Sequence, residues 1–305
     1  MDFHFVFRSL IRTFAANMVR FMAIGSGSCG NSYLLMTNND NLMIDAGVGI
    51  RAVKKCFASK HMKITSLQRI LITHDHSDHV KSAGYVAVEA ECPVYATKAV
   101  HRGIYENYSI VKKIPMDQQI NIEKEQTFTV GDFTITPFHV PHDSPSYDNT
   151  GYKIEVEGIV FSIITDCGHI TERVAQIISE SNYLVLEADY DEERLCNNYH
   201  YNHTRVNFKT IVDGVLRMQT KTLADRVACD TGHLSNRQCA EALAKNASEK
   251  LRHVWLCHLS AENNSSQCAK DTVTQILADN GKTVGKDFNL TVLERKEPSE
   301  IFILT

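Results

Sequence analysis

Apolar residues in this chain fall into short runs and two-residue alternations, broken by Gly, Asn and Asp turns. Residues 20–25, 32–37 and 41–45 read as three consecutive strands, divided by a Gly/Ser turn and an Asn-Asn-Asp turn. Residues 48–59 then read as a helix with Lys54 and Lys55 on its outer face. Strands over 69–73 and 93–96 alternate with helices over 80–90 and 98–108. Between 118 and 140, Ile120 and Ile122, Phe128 and Val130, and Phe133, Ile135 and Pro137 alternate as β-hairpins do. A further hairpin turns at Glu157-Gly158, joining strands 151–156 and 159–165. A helix over 171–180 capped by Thr171 follows, then an almost wholly apolar strand over 183–188.

The pattern is weakest over 190–230, where residues 206–218 read as a helix. Beyond it, Ser235 caps a helix to 247, and 253–258 is a strand. Ser265 or Ser266 caps a helix to 279, and 289–293 is a late strand. Strands followed by helices, in two successive halves, predict an α+β fold. Two sheets pack face to face with helices outside, an αββα sandwich. No Pro/Gly-rich linker or repeat divides residues 18–305, so a single domain is expected there. In residues 1–17, Arg8 and Arg12 interrupt the apolar positions. That stretch is expected to be a dispensable extension, with Met18 as the true start.

Composition narrows the class. The 305 residues are 43% hydrophobic and 22% charged, as in a globular protein with a sizeable core. A net charge of −4 excludes a global basic footprint, so any contact with nucleic acid must be local. No 18-residue apolar run suggests a membrane span. Nine cysteines without a CxxC pair point to reduced thiols and a cytoplasmic setting rather than a disulfide framework. Cys167 and Cys257 read as small apolar fillers beside better ligands.

The chemistry is concentrated in Thr73-His74-Asp75-His76-Ser77-Asp78-His79, between a buried strand and a helix. Three imidazoles and two carboxylates within six residues are costly to gather unless a cation compensates them, and divalent metals accept both donor types. The alternative, a solvated polar loop, does not explain their position at a strand end. His142, Asp166 and His258 each follow a predicted strand, as expected of a site built from loops on a rigid scaffold. His139 competes with His142 but lies within its strand. His200 and His203 read as surface or rim residues.

Strand, His-x-His-x-Asp-His, helix resembles the signature of the metallo-β-lactamase superfamily. Gly25-Ser-Gly-Ser-Cys-Gly-Asn31, Leu42-Met-Ile-Asp-Ala-Gly47, Val140-Pro-His-Asp143, Ile164-Thr-Asp-Cys-Gly168, Gly232-His-Leu-Ser-Asn236 and Leu256-Cys-His-Leu-Ser-Ala-Glu-Asn-Asn264 resemble its YycJ (WalJ, VicX) branch. The resemblance implies two divalent metal ions, zinc first, with manganese or iron as alternatives. His74, His76 and His142 would hold one, Asp78, His79 and His258 the other, with Asp166 bridging. Asp45 and Thr73 would buttress the loop through hydrogen bonds. Ser26, Ser28, Asn31, Ser235, Asn236 and Asn264 would line the substrate. The Gly25–Gly30 stretch reads equally as a phosphate cradle or as a tight turn at the rim of the site.

The Gly232-His233 element resembles that of the superfamily's nuclease branches, and Glu187 the acid that pairs with such a histidine. His233, Glu187 and Asp78 are therefore the expected catalytic residues. The branch implies phosphodiester hydrolysis by a metal-bridging hydroxide, as a DNA 5′-exonuclease linked to repair. Rival readings are a small-molecule or cyclic-nucleotide phosphodiesterase, a thioester or lactone hydrolase, and a non-catalytic regulatory protein tied to cell-wall signalling. The chain lacks an inserted β-CASP domain and an obvious basic stripe. Lys54, Lys55, Lys60 and Lys63 are the candidate phosphate contacts.

Overall fold

The computed structural model describes residues 18–212 and 215–305; the extension expected over 1–17 lies outside the described residues. Two seven-stranded sheets carry the fold. The first is ordered β16-β1-β2-β3-β4-β5-β6 and the second β15-β14-β11-β10-β9-β8-β7. The strands of the first are β1 (Val19–Gly25), β2 (Ser32–Met36), β3 (Asn41–Ile44), β4 (Arg69–Leu71), β5 (Val94–Ala96), β6 (Gln119–Asn121) and β16 (Phe302–Leu304). Those of the second are β7 (Phe128–Val130), β8 (Phe133–His139), β9 (Thr150–Val156), β10 (Ile159–Ile164), β11 (Tyr183–Glu187), β14 (His253–Cys257) and β15 (Asn289–Val292). Helices α1 (Ile50–Ser59), α2 (Ser77–Val80), α3 (Ala83–Ala90) and α4 (Lys98–Glu106) belong to the first half. The second half carries α5 (Glu172–Glu180), α6 (Glu192–Asn197), α7 (Tyr199–His203), α8 (Leu223–Val227), α9 (Asn236–Asn246) and α10 (Ser266–Asp279).

The near-continuous apolar runs have a simple cause: both faces of each sheet are covered. Along β1, Val19, Phe21 and Ala23 point into the core between the sheets, where Tyr33, Phe161 and Trp255 meet them. Met22 and Ile24 point the other way, against Val53 and Phe57 of α1 and Val86 of α3. In β11, Tyr183 and Val185 face the central core. Leu184 and Leu186 face Ile177 of α5, Leu243 of α9 and Val273 of α10. This is the four-layered αββα arrangement.

Among the strands, three places differ from the sequence reading, and the short helices α6, α7 and α8 are additions to it. Residues 206–218 are not a helix: β12 (Arg205–Val212) and β13 (Val215–Thr222) form an antiparallel two-stranded sheet of their own. Val206 and Phe208 alternate along β12 and Leu216 and Met218 along β13, and that alternation prevails over helix propensity. β6 leaves the hairpin series and pairs parallel with β5 in the first sheet. β16 has no counterpart in the sequence reading; it pairs antiparallel with β1, a contact that periodicity cannot register.

β10, β11, β14 and β15 run parallel, and β8 shares their direction through antiparallel β9. β3 and β4 are parallel in the opposite sheet. The loops that follow β3, β4, β8, β10 and β14 meet one another, and the last residue of β11 joins them.

Candidate metal centre

Each side chain of the predicted cluster leaves a strand end. The loop after β4 presents His74, His76, Asp78 and His79, and β8 leads to His142. Asp45, Asp166 and His258 follow β3, β10 and β14 in the left-handed region, at φ 57°, 54° and 57°. Non-glycine residues held there cost roughly 1–3 kcal/mol each, and such strain gathers at functional sites. Here it is held in place by buried hydrogen bonds. Asn149 donates to the Asp166 carbonyl at 2.7 Å, and the His258 amide donates to Ser26 Oγ at 3.0 Å.

Three imidazoles converge first. His76 Nδ1 lies 3.1 Å from both His74 Nε2 and His142 Nε2, and Asp166 Oδ1 is 3.8 and 3.5 Å from the latter two atoms. The opposite ring nitrogens fix the tautomers. His142 Nδ1 donates to the Gly232 carbonyl at 3.0 Å, and His74 Nδ1 meets Thr73 Oγ1 at 3.0 Å. That hydroxyl spends its own proton on Asp45 at 2.9 Å, so His74 donates to it. Two lone pairs therefore face the same His76 nitrogen, a donor set that suits a cation. Burial holds His74 well below the ordinary imidazole range. Burial, with the neighbouring imidazoles and against Asp166, brings His76 and His142 down to about 3, so all three are neutral.

The second group has the opposite electrostatics. His79 Nε2 lies 3.1 Å from Asp166 Oδ2 and 3.6 Å from Asp78 Oδ2; His258 Nε2 lies 3.3 Å from Asp78 Oδ2 and 3.5 Å from Asp166 Oδ1. Burial pushes His79 down, but Asp166, Asp45 and Asp78 overcome it and raise His79 to about 10. Burial likewise opposes, and Asp166, Asp189, Asp78 and Glu187 prevail in raising, His258. Protons on these two rings balance carboxylates that a bound divalent ion would otherwise neutralise. Asp166 touches both groups, with Oδ1 toward His74, His142 and His258 and Oδ2 toward His79. The residues present thus fit divalent metal. Ligand atoms of His74, His76, His142 and Asp166 lie within 4.8 Å of one another, as do those of Asp78, His79 and His258.

Supporting contacts follow the same logic. Asp45, fully buried, accepts from the Thr73 amide (2.8 Å), Thr73 Oγ1 and His79 Nδ1 (2.7 Å), fixing the loop after β4. Asn31 donates from Nδ2 toward Asp78 Oδ2 at 3.3 Å and meets His79 Nε2 at 3.0 Å. Glu187, also fully buried, accepts four hydrogen bonds. These come from the amides of Asp166 (3.2 Å), Cys167 (2.8 Å) and Leu234 (3.0 Å) and from His233 Nδ1 (2.8 Å). The His233 ring stacks on His258 at 5.2 Å, and its Nε2 has no hydrogen-bond partner among the described residues. Burial lowers His233, but Glu187 and Asp189 outweigh it and lift the ring to about 9.

Five of the six positions expected to line the substrate have structural partners within the fold. Ser26 holds the His258 amide, Asn31 braces Asp78, and Ser235 caps α9. Asn236 and Asn264 pair their side-chain amides at 2.8 and 3.1 Å. All five are buried with their polar atoms engaged; Ser28 alone is exposed. His139 is exposed beside Lys124 and stays outside the cluster, as do His200 and His203. Lys54 is paired with Glu89 at 2.7 Å. Sequence reasoning missed Asp189, whose carboxylate lies 3.5 Å from His258 Nδ1, and the Arg226–Asp143 pair (2.7 Å) beside His142. Asp189 follows Glu187 by two residues beyond β11, and that strand-end spacing was the available signal.

A family model described as "Beta-lactamase superfamily domain" matches residues 40–258. The chain belongs to the β-lactamase superfamily. It is 28% identical over 284 residues to "Exodeoxyribonuclease YycJ" of Bacillus anthracis, spanning 93% of this chain and 98% of that protein. It is 30% identical over 273 residues to "Exodeoxyribonuclease WalJ" of Streptococcus pneumoniae, spanning 89% and 93%. Among solved structures, the metallo-β-lactamase fold protein YhfI of Bacillus subtilis aligns with a TM-score of 0.66 at 14% identity. That alignment covers 94% of this chain and all of that one. Zn(2+)-bound PqqB of Methylobacterium extorquens aligns at 0.63 and 16%, covering 92% and 99%. At those identities the likeness is one of fold. Among the described residues, no helix is long and apolar enough to cross a membrane.

Proposed function

We propose that this chain is a metal-dependent nuclease that hydrolyses phosphodiester bonds of DNA, acting from a 5′ end. The names of the YycJ and WalJ relatives support DNA as substrate. The observation that carries the reading is the His233–Glu187 pair beside the cluster. Phosphodiester cleavage builds negative charge on the departing oxygen, and an imidazole held protonated by a buried carboxylate can donate to it.

His74, His76 and His142 would hold one divalent ion and Asp78, His79 and His258 the other, with Asp166 between; zinc suits this donor set, as do manganese and iron. Such a pair supplies Lewis acidity, lowering the pKa of water and offsetting charge on phosphate oxygens. Asp78, braced by Asn31 at 3.3 Å, would help hold the second ion and orient a water beside it. His233 donates from Nε2 to the scissile phosphate or to the departing oxygen, while Glu187 keeps the ring charged and turned toward the site.

The test uses zinc- or manganese-loaded protein on 5′-phosphorylated duplex DNA and, in parallel, on bis-p-nitrophenyl phosphate. Mononucleotide release should vanish in Asp78→Ala and slow strongly in His233→Ala. Hydrolysis of the small diester with DNA left intact would replace DNA with a small phosphodiester. Inactivity on both, with two metals bound, would rule out phosphodiester chemistry.

A further inference from the structure

The β12–β13 ribbon is unused by the site and joins neither large sheet. A lone two-stranded hairpin is marginal in water, so a ribbon of eight-residue strands gains most from something to lie against. Its charge says what. Residues 205–222 carry Arg205, Lys209, Arg217 and Lys221 against the single acid Asp213. That is net +3 within a chain of net −4, leaving −7 on the remainder. Arg205, Arg217 and Lys221 are exposed, and none is in an ion pair among the described residues. The pairing register sets positions 205 and 209 on one face and positions 217 and 221 on the other.

The ribbon is also firmly mounted on the site. Its base closes through the Leu223 amide donating to the Thr204 carbonyl at 2.8 Å, and Thr222 and Asp225 cap α8 with a reciprocal pair of hydrogen bonds. One turn further on, Arg226 pairs with Asp143, next to His142, and the His233 amide donates to the Val227 carbonyl at 2.8 Å. The same short helix therefore ends the ribbon and positions two residues of the centre.

We propose that this ribbon is the duplex-DNA contact of the protein, gripping phosphates beyond the scissile bond with cations on both of its faces. A two-stranded ribbon fits the major groove of B-form DNA, where phosphates flank it on either side. The inference rests on the nuclease reading and deepens it. It also reassigns the phosphate contact from Lys54, Lys55, Lys60 and Lys63 to the chain's other half.

The experiment separates the two ideas by measuring binding apart from turnover. Fluorescence anisotropy would follow a labelled 5′-phosphorylated duplex, and a single strand of the same sequence, on Asp78→Ala protein with and without Lys209→Gln/Arg217→Gln/Lys221→Gln. Each lost phosphate contact lowers the slope of log affinity against log salt by about 0.9. The triple variant should therefore lose a slope of roughly 2–3 and at least about tenfold in duplex affinity near 0.1 M salt. Turnover of bis-p-nitrophenyl phosphate by the triple variant with Asp78 intact should be unchanged, which shows that it folds. Unaltered duplex affinity and slope would overturn the inference, as would a loss confined to the single strand. Normal duplex binding through the ribbon without cleavage of DNA would leave the inference standing and overturn the nuclease reading.

Discussion

Replacing Glu187 by glutamine keeps its shape and removes half of what it accepts. One carboxylate oxygen takes His233 Nδ1 and the Asp166 amide; the other takes the amides of Cys167 and Leu234. All four partners are donors, and the carboxylate is an acceptor at both oxygens. Glutamine has one acceptor oxygen, so its amide nitrogen faces two of the four partners whichever way it turns. One orientation strands the Cys167 and Leu234 amides; the other strands the Asp166 amide, while His233 keeps a partner only by moving its proton to Nε2 and accepting at Nδ1. Each buried donor left unmade costs about 1–3 kcal/mol, so Glu187→Gln should cost roughly 1–6 kcal/mol. That is a large part of the 5–15 kcal/mol or so by which domains are stable. Glu187→Ala strands all four donors but opens room for water to accept from them, so alanine should be no worse than glutamine. Urea unfolding of the metal-free variants measures this directly. A glutamine variant within about 1 kcal/mol of the parent, or clearly milder than alanine, would refute the four-donor account.

His253, stacked on Trp255 at 4.2 Å, has its pKa lowered by burial to about 4. Below its ordinary value the unfolded chain takes up a proton that the folded ring refuses, so stability should fall as pH drops from about 6.5 to about 4. For a half-buried, screened ring this amounts to about 1–2 kcal/mol. His253→Phe, which keeps the stack, should flatten that part of the urea-midpoint profile; an unchanged profile would refute it. A Cβ on Gly47 would sit 1.6 Å from the Asp78 carbonyl oxygen and 2.7 Å from the His79 amide, both backbone atoms. Gly47→Ala should therefore push the loop after β4 aside and lower bound metal, read by elemental mass spectrometry. Gly49→Ala, with open space around it, should bind metal as the parent does; equal metal content in both would contradict the close approach.

What the sequence displayed and what it hid follow from the range of the interactions. The loop at 73–79 is a local event, in which a strand ends and every donor lies within a few residues, so it was readable directly. Asp45, His142, Asp166 and His258 were readable because strand ends are visible as the limits of apolar runs. The fate of Ser26, Asn31, Asn236 and Asn264 was not readable. Each satisfies a buried group far along the chain, as Ser26 does for His258, and polar composition alone does not separate a brace from a substrate contact. The ribbon was misread although Asp213-Gly214 between alternating apolar runs is a strong hairpin signal. Leu216 and Met218, good helix formers, drew the reading the other way. β6 was assigned to the wrong sheet because alternation tells that a strand exists and not which neighbour it chooses.

The pairing of β16 with β1 sets Val19 opposite Leu304 and Arg20 opposite Ile303. Head and tail of the described fold are therefore next-door neighbours, and the backbone is a ring with a single gap. A few flexible residues joining 305 to 18 would close it. The exposed Glu157-Gly158 turn, with Gly158 at φ 77° and open space where a Cβ would lie, offers another place to open it. A chain rewired in this way would begin at β10 and end at β9, with every strand neighbour and every side chain of the His/Asp cluster kept. Order along the polymer would be scrambled while the catalytic hardware stayed the same.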